Sequence, residues 1–173
     1  SPNGRILQLA CVYGTLTQNI IKTIKPHPLY VTDVSGIQLR KLKNKIETAS
    51  LVVSRMTAEA LAYRSDTFSA VVLYFLLHEM PAEARRETLS ECMRVLKNDG
   101  VLLYVEYAQL PSNHFLYRFI LSRVLLTSLE PFLASYWEED VLEILNTRGL
   151  LHGKIAEIVS HEIVYSGFYR VTK

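Results

Sequence analysis

RILQLACVYGTLT, residues Arg5–Thr17, decides the fold. An apolar run from Ile6 to Ala10 ends in a tight segment around Gly14, and a helical pattern starts at Leu16. That order reads as the first strand of a βαβ unit, its turn, and the N-terminus of the crossover helix. In a nucleotide-binding sheet a cofactor sits at this turn, because helix-end N–H groups point outward there. The usual loop carries three glycines. Here Ala10, Val12 and Gly14 stand at those positions, so only the last glycine survives.

The composition sets the frame around that stretch. A chain of 173 residues with 49% apolar and 21% charged residues is expected to fold as one domain with a sizeable core. A net charge of +2 excludes nucleic acid as a partner unless the basic residues cluster. Cys11 and Cys92 have no metal-ligand spacing and point to a reducing, cytoplasmic compartment. No signal peptide or long uncharged apolar run is present. The chain starts without Met, almost directly on a strand, so an N-terminal capping segment is expected to be absent.

Working outward, the pattern alternates. Leu16 to Lys25 reads as a helix, with Thr15 or Thr17 as cap and Pro26 and Pro28 as stop. Leu29 to Thr32 is a strand closed by Asp33, and Ser35 to Thr48 is a basic amphipathic helix. Leu51 to Ser54 is a third strand, and Thr57 to Ala62 a turn or short helix. Ala70 to Tyr74 is a buried strand within the apolar run Phe68 to Leu77. Pro81 opens a helix to Leu96, Asn98-Asp99-Gly100 is a turn, and Val101 to Glu106 is the fifth strand. The last third predicts helices over Phe115–Leu129 and Tyr136–Thr147, interrupted at Pro131. A β-hairpin of Lys154–Ser160 and Ile163–Thr172 follows. The class is α/β, a Rossmann-like doubly wound, mostly parallel sheet with a C-terminal antiparallel hairpin.

Candidate chemistry gathers at the strand ends. Asp33 is placed to accept the two ribose hydroxyls of a nucleoside, or else to cap the next helix. Thr57, Ala58 and Glu59 lie where a base edge would be read, or form a plain surface turn. His78 can exchange a proton near neutral pH, and Glu79 can orient it or bind a metal; the alternative is a packed histidine beside a solvated glutamate. Tyr107, His114 and Tyr13 are candidates for an aromatic wall around a planar substrate. The Phe115–Leu129 helix is too short and too charged to span a bilayer. It either packs on the sheet or acts as a lid that meets a membrane.

These residues resemble the class I S-adenosylmethionine-dependent methyltransferases, in particular the branch acting on quinones. RILQLACVYGTLT is similar to that branch's first motif, LYVTDVS to the ribose-binding strand end, and MTAEAL to the adenine-side segment. SDTFSAVVLYFLLHEMP and RVLKNDGVLLYVEY resemble its fourth- and fifth-strand regions. Gln8, Thr57 and Ser69 replace acids usual in the family, Val12-Tyr13 a Gly-Thr pair and Thr15 an aspartate. Val-Tyr-Gly, FLLHE, Glu106-Tyr107 and LEPF...W are similar to the rhodoquinone-biosynthesis proteins. In that family a methoxy group of ubiquinone is replaced by an amino group, with S-adenosylmethionine as amine source and manganese required.

The resemblance implies a set of roles. Asp33 and Val34 would hold the ribose, and Gln8, Ala10, Cys11, Tyr13 and Gly14 would approach the amino-acid portion of the cofactor. Thr57, Ala58, Glu59 and Tyr74 complete the cofactor contacts, and His78, Glu79 and Tyr107 carry the catalysis, with His78 moving the proton. If a divalent metal such as Mn2+ binds, Glu79, His78 and Glu106 are its candidate ligands. The partner implied is a quinone or another small aromatic, which brings peripheral contact with the inner membrane. Gln8 offers no charge to the cofactor's ammonium group, and Tyr13 fills space along its methionine portion. Val12 disfavours the positive φ that glycine permits, so the loop is expected to take another path. Two rivals stand beside this reading: an ordinary methyltransferase of a phenol or quinone, and a non-catalytic binding protein of the same fold.

Overall fold

The structure, a computed structural model, describes residues 4–23, 28–107, 128–147, 155–161 and 164–170, with backbone course alone for the last two stretches. Strand β1 (Ile6–Leu9) leads to helix α1 (Thr15–Thr23), then β2 (Leu29–Asp33), α2 (Gly36–Lys45), β3 (Leu51–Arg55) and β4 (Phe68–Tyr74). A 3-10 turn (Leu77–Glu79), α3 (Ala82–Val95) and β5 (Leu96–Tyr107) follow. Helices α4 (Leu133–Trp137) and α5 (Val141–Thr147) and strands β6 (Ile155–His161) and β7 (Val164–Arg170) complete the described elements.

The seven strands form one sheet in the order β3-β2-β1-β4-β5-β7-β6. The first five pair in parallel, β7 runs antiparallel to β5, and β6 antiparallel to β7. Leu7, Leu9, Val71, Leu73 and Leu102 are buried on one face and Ile6, Val31 and Val72 on the other, as a sheet covered on both faces requires. The order reverses between β1 and β4. A crevice therefore opens outside their carboxyl ends, and residues following β1, β2, β3 and β4 line it.

Several boundaries differ from the sequence reading. Asn98-Asp99-Gly100 does not separate α3 from a strand; it bulges within β5. Pairing advances from Phe68 to Ala70 on β4 while it advances from Leu96 to Val101 on β5. Asp99 sits at φ +60°, and a Cβ at Gly100 would lie 2.6 Å from Leu96 Cγ, so the turn chemistry is spent on a bulge. The helix expected over Tyr136–Thr147 is broken into α4 and α5 at Glu138–Asp140, where Glu139 is held by Arg85 and Arg86. Thr17 does not cap α1; its hydroxyl donates to Gln8 Oε1 at 2.9 Å. Ser35 does cap α2, accepting from the Gln38 N–H. Most of the helix expected over Phe115–Leu129 lies outside the described residues, as does His114. No helix among the described residues is long and apolar enough to cross a membrane.

The connection from β3 to β4 is fastened at two points. Tyr30, Tyr63 and Phe68 meet edge to face with centroids 4.9 to 6.0 Å apart, each contact worth about 0.5–1.5 kcal/mol. Glu91 accepts the Leu61 N–H at 2.7 Å and two bonds from Arg94, whose guanidinium also donates to the carbonyls of Leu61 and Tyr63. The Arg94 bond, against burial and with the Leu61 N–H, holds the Glu91 carboxyl below its ordinary value. Its stabilisation is therefore present above the unfolded value of about 4.3 and is lost as pH falls through the lower folded one. Glu91→Gln should cost about 1 kcal/mol at neutral pH, a fall of about 2–4 °C in melting temperature. Melting curves of the two proteins should converge as pH drops below about 4.

Candidate functional site

A cavity of about 480 Å³ occupies the crevice. Of the residues expected to contact a cofactor, Ala10, Tyr13, Asp33, Val34, Thr57, Ala58 and Glu59 line it, as does Glu79. Gln8, Cys11, Gly14 and Tyr74 do not form its wall. Gln8 lies beneath the loop, 1% exposed, with Nε2 donating to Ala10 O at 3.0 Å. Cys11 donates its backbone N–H to Asp33 Oδ2 at 3.0 Å, and its thiol to the same oxygen. Burial first, then the Asp33 bond and charge, push the Cys11 thiol up to about 12. It therefore stays protonated and serves as a donor. Asp33 Oδ1 accepts the Ser35 N–H at 2.8 Å, so this carboxylate ties the β1 loop to the start of α2 while facing the cavity. Thr57 and Glu59 hydrogen-bond to each other on the exposed turn.

The β1 loop keeps the left-handed path. Ala10 has φ +61°, Val12 +44° and Gly14 +72°. The expectation that Val12 forces another course is thus corrected. The hydrogen bonds on either side of Val12 hold it in a conformation that a β-branched residue resists. Gly14 has a second reason to be glycine, since a Cβ there would lie 2.7 Å from Leu42 Cδ1. Phe75, at φ +50° on the opposite side of the crevice, is a third strained residue on the cavity wall.

Behind that wall the end of β5 meets the 3-10 turn. Glu106 is fully buried; Oε1 accepts the N–H groups of Leu76 and Leu77 at 2.7 and 2.6 Å, and Oε2 lies 2.6 Å from His78 Nδ1. The bond assigns the His78 proton to Nδ1 and turns Nε2 toward Glu130, 3.9 Å away. Burial pushes the imidazole down, but the Glu106 bond and the charges of Glu106, Glu130 and Glu79 outweigh it and leave His78 above its ordinary value. Burial and the charges of Glu130 and Glu106 raise Glu79 against the pull of His78. Ligand atoms of His78, Glu79 and Glu130 all lie within 4.8 Å of one another. Glu106, expected to share a metal with His78 and Glu79, stands behind the histidine instead, both oxygens already engaged. Glu130 takes its place; its only sequence signal was the LEPF segment.

The aromatic wall also has a different membership. Tyr107 packs edge-on to His78 at 4.7 Å and against Phe75 at 4.9 Å, while Tyr74 meets Phe75 at 4.7 Å. Tyr13 lies at the cavity mouth, 77% exposed. Burial and the charges of Glu130 and Glu106 raise the Tyr107 phenol. The segment carrying Glu130 is fixed by Arg85, which is 1% exposed. Its guanidinium donates to Glu139 Oε2 at 2.8 Å, Met80 O at 2.7 Å and Ser135 Oγ at 3.1 Å. Trp137 Nε1 donates to Tyr107 O at 3.2 Å. One buried cation thus joins the end of the 3-10 turn to residues 135–139.

Comparisons with known proteins agree with this layout. A family model described as a methyltransferase domain matches residues 6–100. An uncharacterized protein of Haemophilus influenzae is 28% identical over 118 residues, covering 66% of this chain and 47% of that protein. The chain therefore spans about half the length of that curated relative. An S-adenosylmethionine-dependent methyltransferase from Methanosarcina mazei superposes with a TM-score of 0.71 at 15% identity, covering 99% of this chain and 94% of that one. A protein from Pyrococcus horikoshii OT3 does so with a TM-score of 0.70 at 17% identity, covering 98% and 82%. These structures share the class I methyltransferase fold with this chain.

Two substitutions test the geometry. Val12→Gly should raise stability by about 1 kcal/mol, strain relief outweighing glycine's chain entropy, with a higher melting temperature as the readout. Arg85→Ala should cost about 3–5 kcal/mol in denaturant unfolding, because it leaves Glu139 short of its buried partner.

Proposed function

This chain belongs to the methyltransferase-domain family, and from that premise we propose that it is an S-adenosylmethionine-dependent transferase acting on a quinone-like aromatic. The favoured reaction is amination of ubiquinone to rhodoquinone. The observation that carries the reading is the Glu106-anchored His78 beside Glu79 and Glu130, set under the rings of Phe75 and Tyr107. Methyl transfer to a phenol oxygen needs a base alone. An imidazole with two carboxylates gives, in addition, a place for a divalent cation.

The cofactor end supports the same reading. Asp33 faces the cavity with lone pairs left for ribose hydroxyls, although each oxygen already accepts a backbone N–H. Gln8 is neutral and used up by Ala10 and Thr17, so the first loop gives the cofactor's ammonium group no carboxylate partner. An amine without that ion pair is the one available for reaction. Thr57, Ala58 and Glu59 stand on the side where the base would lie.

The residues present fit a divalent cation. Hard carboxylate oxygens with one imidazole suit Mn2+, and an imidazole held through its other nitrogen by a carboxylate is the usual support of a metal-binding histidine. His78 Nε2, Glu79 and Glu130 would hold the ion and Glu106 would orient His78. When bound, such a cation supplies Lewis-acid polarisation of an acceptor oxygen. The chain's own groups do the rest. Phe75 stands on the cavity wall where a planar acceptor would lie, Tyr107 backs it, and His78 holds its proton at Nδ1 against Glu106.

Calorimetric titration with S-adenosylmethionine, with and without Mn2+, should show binding that Asp33→Ala abolishes. Incubation with a short-chain ubiquinone should then give a product lighter than the substrate, because an amino group replaces a methoxy group. A heavier product from the corresponding quinone with a free ring hydroxyl, with ubiquinone itself unchanged, would mean methyl transfer and overturn the amination reading. Absence of cofactor binding in both conditions would favour a non-catalytic binding protein.

A further inference from the structure

Helix α2 buries Leu39 and Leu42 and turns its other face outward. Ile37, Arg40, Lys41 and Asn44 follow at three- and four-residue spacing, so they share that outer face, and all four are exposed. Lys45 flanks them and donates from Nζ to Tyr13 O at 2.9 Å, which brings the β1 loop alongside the helix. Arg55 Nε donates to Val34 O at 2.9 Å, just ahead of the helix. Ile37 is 58% exposed and Val34 66%; with Tyr13 they are three of the large apolar side chains most open to solvent. The helix contains no acidic residue, and Glu47 is the first beyond its end. Tyr13 and Val34 also line the mouth of the cavity.

We propose that this surface docks the protein on an anionic lipid bilayer. Helix α2 spends its own apolar face on the sheet, so the attraction comes from its exposed cations, with Tyr13, Val34 and Ile37 as the exposed apolar side chains beside them. Cations near an anionic surface gain attraction individually, and apolar side chains enter the headgroup layer between them. A nucleic acid would use the cations but has no use for exposed Val34 and Ile37, so lipid is the better fit. The surface lies at the rim of the cavity, so docking turns the cavity mouth toward the bilayer. The docking itself does not depend on which group is transferred.

Cosedimentation of the chain with phosphatidylcholine vesicles, with and without phosphatidylglycerol, tests the proposal. The protein should pellet with the anionic vesicles alone and be released as salt is raised. Arg40→Ala with Lys41→Ala should weaken vesicle binding about 25-fold, from about fivefold per cation. Ile37→Asp should also weaken it, although the salt dependence remains. All three positions are exposed, so the variants should keep the parent melting temperature and the loss cannot be assigned to unfolding. Equal binding to neutral vesicles, or none to anionic ones, would overturn the proposal. So would binding that ignores Ile37→Asp and is competed away by a DNA oligonucleotide, which would assign the cations to nucleic acid.

Discussion

A carboxylate with no exposure to water has to be surrounded by donors, and Glu106 shows how completely that demand shapes this protein. Desolvating a lone carboxylate is prohibitive; three short bonds from Leu76 N–H, Leu77 N–H and His78 Nδ1 offset it. All three donors come from one stretch of three residues after β4. The constraint therefore dictates the course of that stretch, binds it to the end of β5, and fixes the orientation of the His78 ring. Leu76 is in helical backbone at the start of the 3-10 turn, and Phe75 takes a left-handed φ just before it. The strain at Phe75 is sustained by the bonds that follow it.

Arg85 solves the inverse problem on the other side of the turn. A buried guanidinium needs acceptors, and it takes them from Met80, Ser135 and Glu139. The two buried charges thus grip one short turn from opposite ends, one through β5 and the other through the segment after Glu130. His78 and Glu79 come within ligand distance of Glu130, far along the chain, because each of the two segments carrying them is fixed by a charge that could not otherwise be buried. Exchange of either charge for an apolar group would do more than remove a contact. It would leave the partner groups desolvated without a counterpart.

The sheet was legible in the residues because each strand is an apolar run bounded by a turn signal, and the alternation with helices allows few topologies. The place of Asp33 was legible for the same reason: a polar residue ending an apolar strand in a βαβ pattern falls at the carboxyl edge of the sheet, and there it lines the cavity. What stayed hidden depended on distant partners. Glu106 and Glu79 look equivalent in sequence, each a glutamate near a strand end, yet one lies behind His78 and the other on the cavity wall. Only the direction of a side chain separates them. Glu130 belongs to a segment whose place is set by Arg85 and Glu139, at a separation no local pattern conveys. The break between α4 and α5 was hidden likewise, since the helical pattern runs on through Glu139 while the tertiary ion pairs stop it there. The Asn98–Gly100 bulge was misread in kind and not in chemistry: the left-handed residue and the close glycine are present, inside a strand.

The β1 loop shows how a motif can lose its residues and keep its path. Around Val12 nearly every neighbour is anchored: Ala10 O by Gln8, Cys11 N–H by Asp33, Gly14 N–H by Cys11 O, and Tyr13 O by Lys45. With both flanks held, Val12 has no freedom to relax, and its left-handed φ is a consequence of its neighbours and not of its own preference. Replacing glycine in such a loop does not redirect the backbone; it puts side chains where there was space. The isopropyl group of Val12 and the ring of Tyr13 now line the cavity. A ligand entering from that side meets apolar bulk in place of bare N–H groups. The substitutions in this loop therefore change the shape of the cavity wall, and leave the Asp33 carboxylate facing the same cavity, tied to Cys11 and Ser35.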